Sequence, residues 1–193
     1  MVKRNCSITN NISSRKVLYL SLVRSLYEHC SPIWRPMNPT QTNKFERIQK
    51  RAIKWIFSEN YCRYSNRGYF DKLKRLNILP IDFKFQLNDM VMFHKIFYNF
   101  SVVKLPSFLL RQDGSNDTYF QRQTRNFNDS DGLKIKCTIP PRVNAFKDSF
   151  FYRSHILWNS LPWEIRNVQI TDNFKAKLEQ HLWLIAESNL CNS

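Results

Sequence analysis

The stretch of sequence that decides the fold reads TQTNKFERIQKRAIKWIF at residues 40–57. Its apolar side chains recur every three to four residues, which predicts an amphipathic helix from Gln41 to about Phe57, with Thr40 as the N-cap. The apolar face is predicted to hold Phe45, Ile48, Ala52, Trp55 and Ile56. The opposite face is predicted to hold the cations Lys44, Arg47, Lys50, Arg51 and Lys54. The helix therefore separates a core-facing side from a cationic side.

Helical patterns lie on both sides of this stretch. An upstream helix is predicted to begin near Ser13 or Ser14 and to end before Pro32, because a proline disfavours helical geometry in the residue that precedes it. Its apolar stripe is predicted to be formed by Leu18, Tyr19, Leu22, Val23, Leu26 and Cys30. Downstream, the same periodicity predicts helices over residues 69–76, 81–99, 146–159 and 171–188. The helix at 69–76 is basic through Lys72, Lys74 and Arg75, and His94 on the apolar face of the helix at 81–99 is predicted to be a hydrogen-bonded core histidine.

One segment carries the alternation of a strand instead. Residues 133–139 read LKIKCTI, with apolar and polar side chains in strict alternation. Residues 119–127 are predicted to pair with this strand, and residues 101–117 are predicted to form a loop. The predicted fold class is therefore mainly α, with about six helices in an irregular bundle and one small β-hairpin inserted at about 118–139.

The positive charge is concentrated in the N-terminal part of the chain. The net charge of the 193 residues is +15. Residues 1–75 carry 16 Lys and Arg against 4 Asp and Glu, a net +12, which leaves a net +3 for residues 76–193. We predict a basic helical region at 1–100, and a region at 101–193 in which the hairpin and the C-terminal helices pack on it.

A one-sided charge of this size attracts polyanions such as nucleic acid or an anionic membrane surface. Basic and aromatic residues also interleave near Trp34 and Tyr64, which suits stacking on unpaired bases. We therefore predict RNA or DNA as the partner. The alternatives are an acidic protein surface, or a basic surface that only keeps the protein in solution. The predicted binding residues are Lys44, Arg47, Lys50, Arg51, Lys54, Trp34 and Tyr64.

No motif of a catalytic or metal site is present in the sequence. The chain lacks an Asp-Asp pair, a Walker lysine, an HExxH motif and a GxSxG motif, and its five cysteines include no CxxC pair. We expect no cofactor, no metal, no small-molecule substrate and no catalysis by this chain alone. Neither a signal peptide nor a transmembrane run is recognisable, so we expect no membrane partner and an intracellular location, cytoplasmic or nuclear.

Several short motifs together resemble one family. The first set comprises Arg4-Asn5-Cys6, Leu18-Tyr19, Leu22-Val23-Arg24-Ser25, Tyr27-Glu28, Ser31-Pro32-Ile33-Trp34-Arg35-Pro36 and Phe45-Glu46-Arg47-Ile48-Gln49-Lys50-Arg51-Ala52. The later set comprises Leu76-Asn77-Ile78-Leu79-Pro80-Ile81, Phe150 to Arg153, Trp158-Asn159-Ser160-Leu161-Pro162 and Phe174-Lys175. In this order they resemble the region just downstream of the thumb in reverse transcriptases of non-LTR retrotransposons, the jockey-like LINE elements.

This resemblance implies a catalytically incomplete C-terminal fragment of an RNA-directed DNA polymerase. The catalytic aspartates of such a polymerase would precede Met1, so no catalytic residue is expected here. The implied partners are RNA or DNA and the polymerase domains of the parent element. Two alternatives stay open. One is a helical protein-interaction module that docks on the missing polymerase domains or on another acidic partner, and the other is a remnant with no selected function.

Overall fold

A computed structural model describes residues 11–36, 38–58, 66–111 and 133–191 of the chain. These residues are mainly helical, with one two-stranded antiparallel sheet, which confirms the predicted fold class. The first helix consists of α1 (Ile12–Tyr19), a π-helical turn (Leu20–Arg24) and α2 (Ser25–Glu28). The elements that follow are α3 (Ser31–Trp34), α4 (Pro39–Ile56), α5 (Asn66–Leu76), α6 (Ile81–Phe97), β1 (Leu109–Arg111), β2 (Ile135–Cys137), α7 (Asn144–Lys147), α8 (Phe150–Ser160), α9 (Trp163–Arg166) and α10 (Thr171–Cys191).

The chain divides into two compact units. Unit 1 comprises Met1–Asn88 and Glu179–Ser193, and unit 2 comprises Asp89–Leu178. The predicted regions at 1–100 and 101–193 were drawn from charge and periodicity, and stay a prediction. The boundary between the two units falls inside the last helix, α10. Its residues up to Leu178 belong to unit 2, and its residues from Glu179 belong to unit 1 together with the N-terminal helices.

The sheet confirms one predicted strand and changes its partner. β2 lies within the alternating segment 133–139, and it pairs with β1 so that Leu110 lies opposite Lys136. β1 falls in a stretch that was predicted to be a loop. The predicted partner, residues 119–127, lies outside the described residues. Asn159 holds β2 in place, because its side chain accepts a hydrogen bond from the N–H of Ile135 at 2.9 Å and donates one to the carbonyl of Ile135 at 2.7 Å.

Unit 1 has an aromatic and aliphatic core built on the basic helix α4. Ile53 and Ile56 of α4 are fully buried against Tyr19 of the first helix and Leu73 of α5. A second cluster joins Tyr27, Ile81 and Phe85, and Phe45 of α4 packs against it. Burying an aliphatic side chain contributes about 1.5–3 kcal/mol. The inner face of α4 is therefore fixed by the packing of three neighbouring helices.

The first helix buries only part of its predicted apolar stripe. Leu22 and Leu26 are exposed, whereas Tyr19 and Tyr27 are buried and their hydroxyl groups share a hydrogen bond. In an uninterrupted α-helix, residues eight apart differ by about 80° around the axis. The π-helical turn inserts the equivalent of one extra residue, which brings the two tyrosines to one side and turns the leucines outward.

Unit 2 is packed around Trp158 of α8, which is fully buried between Phe93, Phe97 and Phe174. His94 lies in this core, as predicted: it is fully buried, its Nε2 lies 2.7 Å from the carbonyl oxygen of Val168, and its ring stacks on Phe174. Because a carbonyl oxygen can only accept, Nε2 is the donor of this hydrogen bond. Burial lowers the pKa of His94.

Candidate nucleic-acid interface

The basic helix α4 has its predicted cationic face, but its buried face is rotated. The buried residues of α4 are Gln49, Ile53 and Ile56, and Ile48 is 41% exposed although it was predicted to face the core. Taking 100° per residue, the middle of the buried stripe lies nearly opposite the middle of the cation stripe. The cations therefore point away from the core more directly than the hydrophobic pattern alone indicated.

Polar partners explain this rotation. The side-chain oxygen of the fully buried Gln49 accepts a hydrogen bond from the Tyr19 hydroxyl at 3.1 Å, and its amide nitrogen donates to the carbonyl of Leu79 at 3.2 Å. A buried amide is tolerated when both of its ends are satisfied. The helix consequently turns a glutamine inward and an isoleucine outward, which no hydrophobic count would select.

The acid of the basic helix, Glu46, also faces the protein. One carboxylate oxygen accepts a hydrogen bond from the Tyr69 hydroxyl at 2.6 Å, and the other accepts from the backbone N–H of Ile81 at 3.1 Å. Ile81 is the first residue of α6, so the carboxylate also interacts favourably with the positive end of that helix. Burial and the neighbouring carboxylate raise the pKa of Tyr69, which keeps the phenol protonated as the donor. Glu46 therefore holds two helices in place instead of neutralising the cation stripe.

The outward side of α4 consists largely of cations. Lys44, Arg47 and Arg51 are exposed, and none of them forms a salt bridge within the described part of the chain. Lys50 and Lys54 are half-buried, and Lys50 lies beside α5. The Lys50 Nζ lies 5.1 Å from the centre of the Tyr69 ring. The structure thus brings all five predicted phosphate-binding residues to one surface of one helix.

This cationic surface continues onto α5 through Phe57. Lys72 Nζ lies 5.6 Å from the centre of the Phe57 ring, and the guanidinium carbon of Arg75 lies 5.5 Å from it. Phe57 follows Lys54 by three residues, so it lies one turn further along the same side of α4. The basic character of α5 is visible in the sequence, but its connection with α4 is not. The aromatic residue between two basic segments was the available signal.

The two predicted stacking residues have different outcomes. Trp34 lies in an aromatic cluster, with its ring centre 5.6 Å from those of Phe45 and Phe85, and its indole N–H donates to the carbonyl of His29 at 2.7 Å. Its side chain is nevertheless 38% exposed. Tyr64 lies outside the described residues. Stacking of bases on either residue stays a prediction.

The predicted binding residues leave out one cation that supports this site. Arg15 of α1 is buried, and its guanidinium donates a 2.9 Å hydrogen bond to the carbonyl of Trp55 and another to the hydroxyl of Ser58. It also lies over the Trp55 ring, 5.5 Å from its centre. A cation in this position satisfies carbonyl groups at the end of α4, where the helix dipole is negative.

Other kinds of site find no support in the described residues. Within the described ranges, no group of three or more His, Cys, Asp or Glu side chains could hold a metal ion. None of the helices in those ranges is both long enough and apolar enough to cross a bilayer. No family model, curated protein or solved structure matches this chain.

Proposed function

We propose that the chain binds RNA or DNA through the basic helix α4, as a catalytically incomplete fragment of the polymerase type that its motifs resemble. The observation that carries the proposal is the inward position of Glu46, which leaves five cations on the outer side of α4 without a carboxylate of that helix among them. An intracellular location, cytoplasmic or nuclear, belongs to the same proposal because nucleic acids are found there.

The cost of this arrangement supports a bound polyanion. Lys44, Arg47, Lys50, Arg51 and Lys54 form five like-charge pairs at spacings of three or four residues. Each such pair costs an isolated helix about 0.2–0.5 kcal/mol, which amounts to about 1–2.5 kcal/mol for the whole stripe. A row of phosphates would remove that cost and add attraction. Phosphates therefore offer the stripe a partner that offsets its self-repulsion.

The expected binding is weak, strongly salt-dependent and independent of sequence. Non-specific binding through phosphates has a Kd of about 10⁻⁴–10⁻⁶ M at physiological salt. Five phosphate contacts give a slope of log K against log salt of about −4.5 on duplex DNA and about −3.5 on a single strand. Both quantities can be measured from the fluorescence anisotropy of a labelled oligonucleotide titrated with the full chain at several salt concentrations.

A matched pair of variants separates the site from the overall charge. Reversing Lys44, Arg47 and Arg51 to glutamate should abolish most binding and flatten the salt dependence. The control reverses three exposed cations of unit 2 and lowers the net charge by the same six units; these are Lys147, Lys175 and Lys177. Equal losses in both variants, or no binding by the intact chain at low salt, would refute the proposal.

A second candidate function is docking on a protein, including the polymerase domains of the parent element. Its support is the exposure of large apolar side chains on unit 1: Leu22 is 51% exposed, Leu26 76% and Ile33 84%. Exposed apolar side chains are common on protein surfaces, and only a contiguous patch marks an interface. Replacing these three residues by serine should leave nucleic-acid binding unchanged. A loss of binding in that variant would instead favour an apolar contribution to the interface.

A further inference from the structure

The two aromatic rings that lie among the cations of α4 and α5, Phe57 and Tyr69, are already covered by cations. Tyr69 is 7% exposed and lies under Lys50. Phe57 is half-buried under Lys72 and Arg75, each about 5.5 Å from its centre. Such cation–π contacts contribute about 0.5–2 kcal/mol each. A base could stack on one of these rings only by displacing the cation that covers it.

The covered rings decide which nucleic acid fits. Proteins that bind single strands gain about 1–3 kcal/mol per base from stacking on open aromatic faces. The described part of this surface offers cations in the positions where such proteins offer open rings. Its interaction energy therefore comes from phosphates, and the ligand with the higher density of phosphates is favoured.

Along the length of this surface, a duplex presents more phosphate charges than a single strand does. Lys44 and Lys54 are ten residues apart, which corresponds to about 15 Å along α4. Over 15 Å a duplex presents about nine phosphate charges, since it carries one charge per 1.7 Å of axis, whereas one of its strands presents about half as many. Lys72 and Arg75 of α5 widen the surface sideways beyond a single row of cations, and Asp71 is the acid in this exposed part of α5.

We propose that the surface formed by α4 and α5 binds the sugar-phosphate backbone of a double helix and does not stack on unpaired bases. This inference rests on the proposed function and names the ligand class for the same site. Phosphate rows of duplex DNA, duplex RNA and an RNA–DNA hybrid share the required chemistry. Lys72 and Arg75 of α5 belong to the binding surface. Lys74 of the same helix forms an ion pair with Glu187.

The test compares oligonucleotides of equal length by fluorescence anisotropy with the intact chain. The ligands are a duplex of DNA, a duplex of RNA, an RNA–DNA hybrid, a single strand of the same sequence, and a single strand in which abasic sites replace the bases. We expect the duplexes to bind about tenfold more tightly than the single strand at moderate salt. The abasic strand should bind within about twofold of the normal strand, since no stacking is lost.

The contribution of α5 is tested by replacing Lys72 and Arg75 with glutamine. With the two α5 cations the surface makes seven phosphate contacts, so the duplex salt slope of the intact chain should be about −6.3, and the double replacement should reduce it to about −4.5. Replacing Lys175 and Lys177 by glutamine changes the net charge equally and should leave the slope unchanged. Single-strand binding as tight as duplex binding, or a large loss on removing the bases, overturns this inference while nucleic-acid binding itself stands. No binding to any of the five ligands overturns the proposed function as well.

Discussion

Replacing Glu46 by glutamine tests the central geometry of unit 1. The carboxylate accepts hydrogen bonds from Tyr69 and from the first N–H of α6, and the amide has only one oxygen for two donors. A hydrogen bond to a charged group contributes about 1.5–3 kcal/mol, and a neutral one about 0.5–1.5 kcal/mol. Losing one bond and weakening the other should lower the free energy of unfolding by about 2–4 kcal/mol.

Urea unfolding followed by far-ultraviolet circular dichroism measures this change. Glu164, an exposed acid of α9, provides the matched control, and its replacement by glutamine should stay within about 0.5 kcal/mol of the parent protein. The same Glu46→Gln variant should bind duplex DNA no more tightly than the parent chain, although its net charge is one unit higher. A small stability loss together with tighter binding would show that Glu46 faces the ligand, and would refute the geometry.

Three further predictions concern buried polar groups. Asp89 is 1% exposed and accepts two hydrogen bonds from Arg153, at 3.0 and 3.2 Å, and the Arg153 side chain is 9% exposed. Asp89→Asn should therefore lower the free energy of unfolding in urea by about 3–5 kcal/mol, and the exposed Asp172→Asn should cause no comparable loss. Burial lowers the pKa of both His94 and His155. The free energy of unfolding should therefore be highest above about pH 6.5 and should fall below that pH, because the unfolded chain takes up protons there before the folded chain does. Identical urea unfolding curves at pH 7.5 and pH 5.5 would contradict this. Gln49→Leu should lower the free energy of unfolding in urea by about 1–3 kcal/mol, because it removes two buried hydrogen bonds, one from the Tyr19 hydroxyl and one to the Leu79 carbonyl. A gain in stability would instead show that an apolar side chain fits that face better.

Local regularity predicted most of the helices. The last two long helices, the basic stripe of α4 and the core position of His94 all follow from side-chain spacing along one element, and the structure confirms them. The strand at 135–137 was also recognisable, since alternation is a local property. These features depend on residues that lie close together in sequence.

The buried face of α4 differs from the predicted one because it depends on hydrogen-bond partners that lie far away in sequence. Gln49 is buried because Tyr19 lies 30 residues before it and Leu79 lies 30 residues after it. Hydrophobic periodicity places a glutamine on the outer face, because the pattern contains no information about hydrogen bonds to residues that are distant in sequence. The strand at 109–111 is not predicted, for a different reason: three residues show too little alternation to be distinguished from a loop. The rotated inner face of α4 and the link between α4 and α5 required the structure.

The π-helical turn at Leu20–Arg24 makes the first helix tolerant of the loss of one residue. A helix that holds one surplus residue can lose it without breaking, because the remaining backbone can close into ordinary α-helical hydrogen bonds. Such a deletion would leave seven residue steps between Tyr19 and Tyr27, which lie about 20° apart around an ordinary α-helix, so the two tyrosines would stay on one side. A deletion in an ordinary α-helical stretch such as α4 would instead rotate everything beyond it by about 100°. The π-helical turn is therefore a place where the chain could lose one residue and keep the inner and outer faces of the helix.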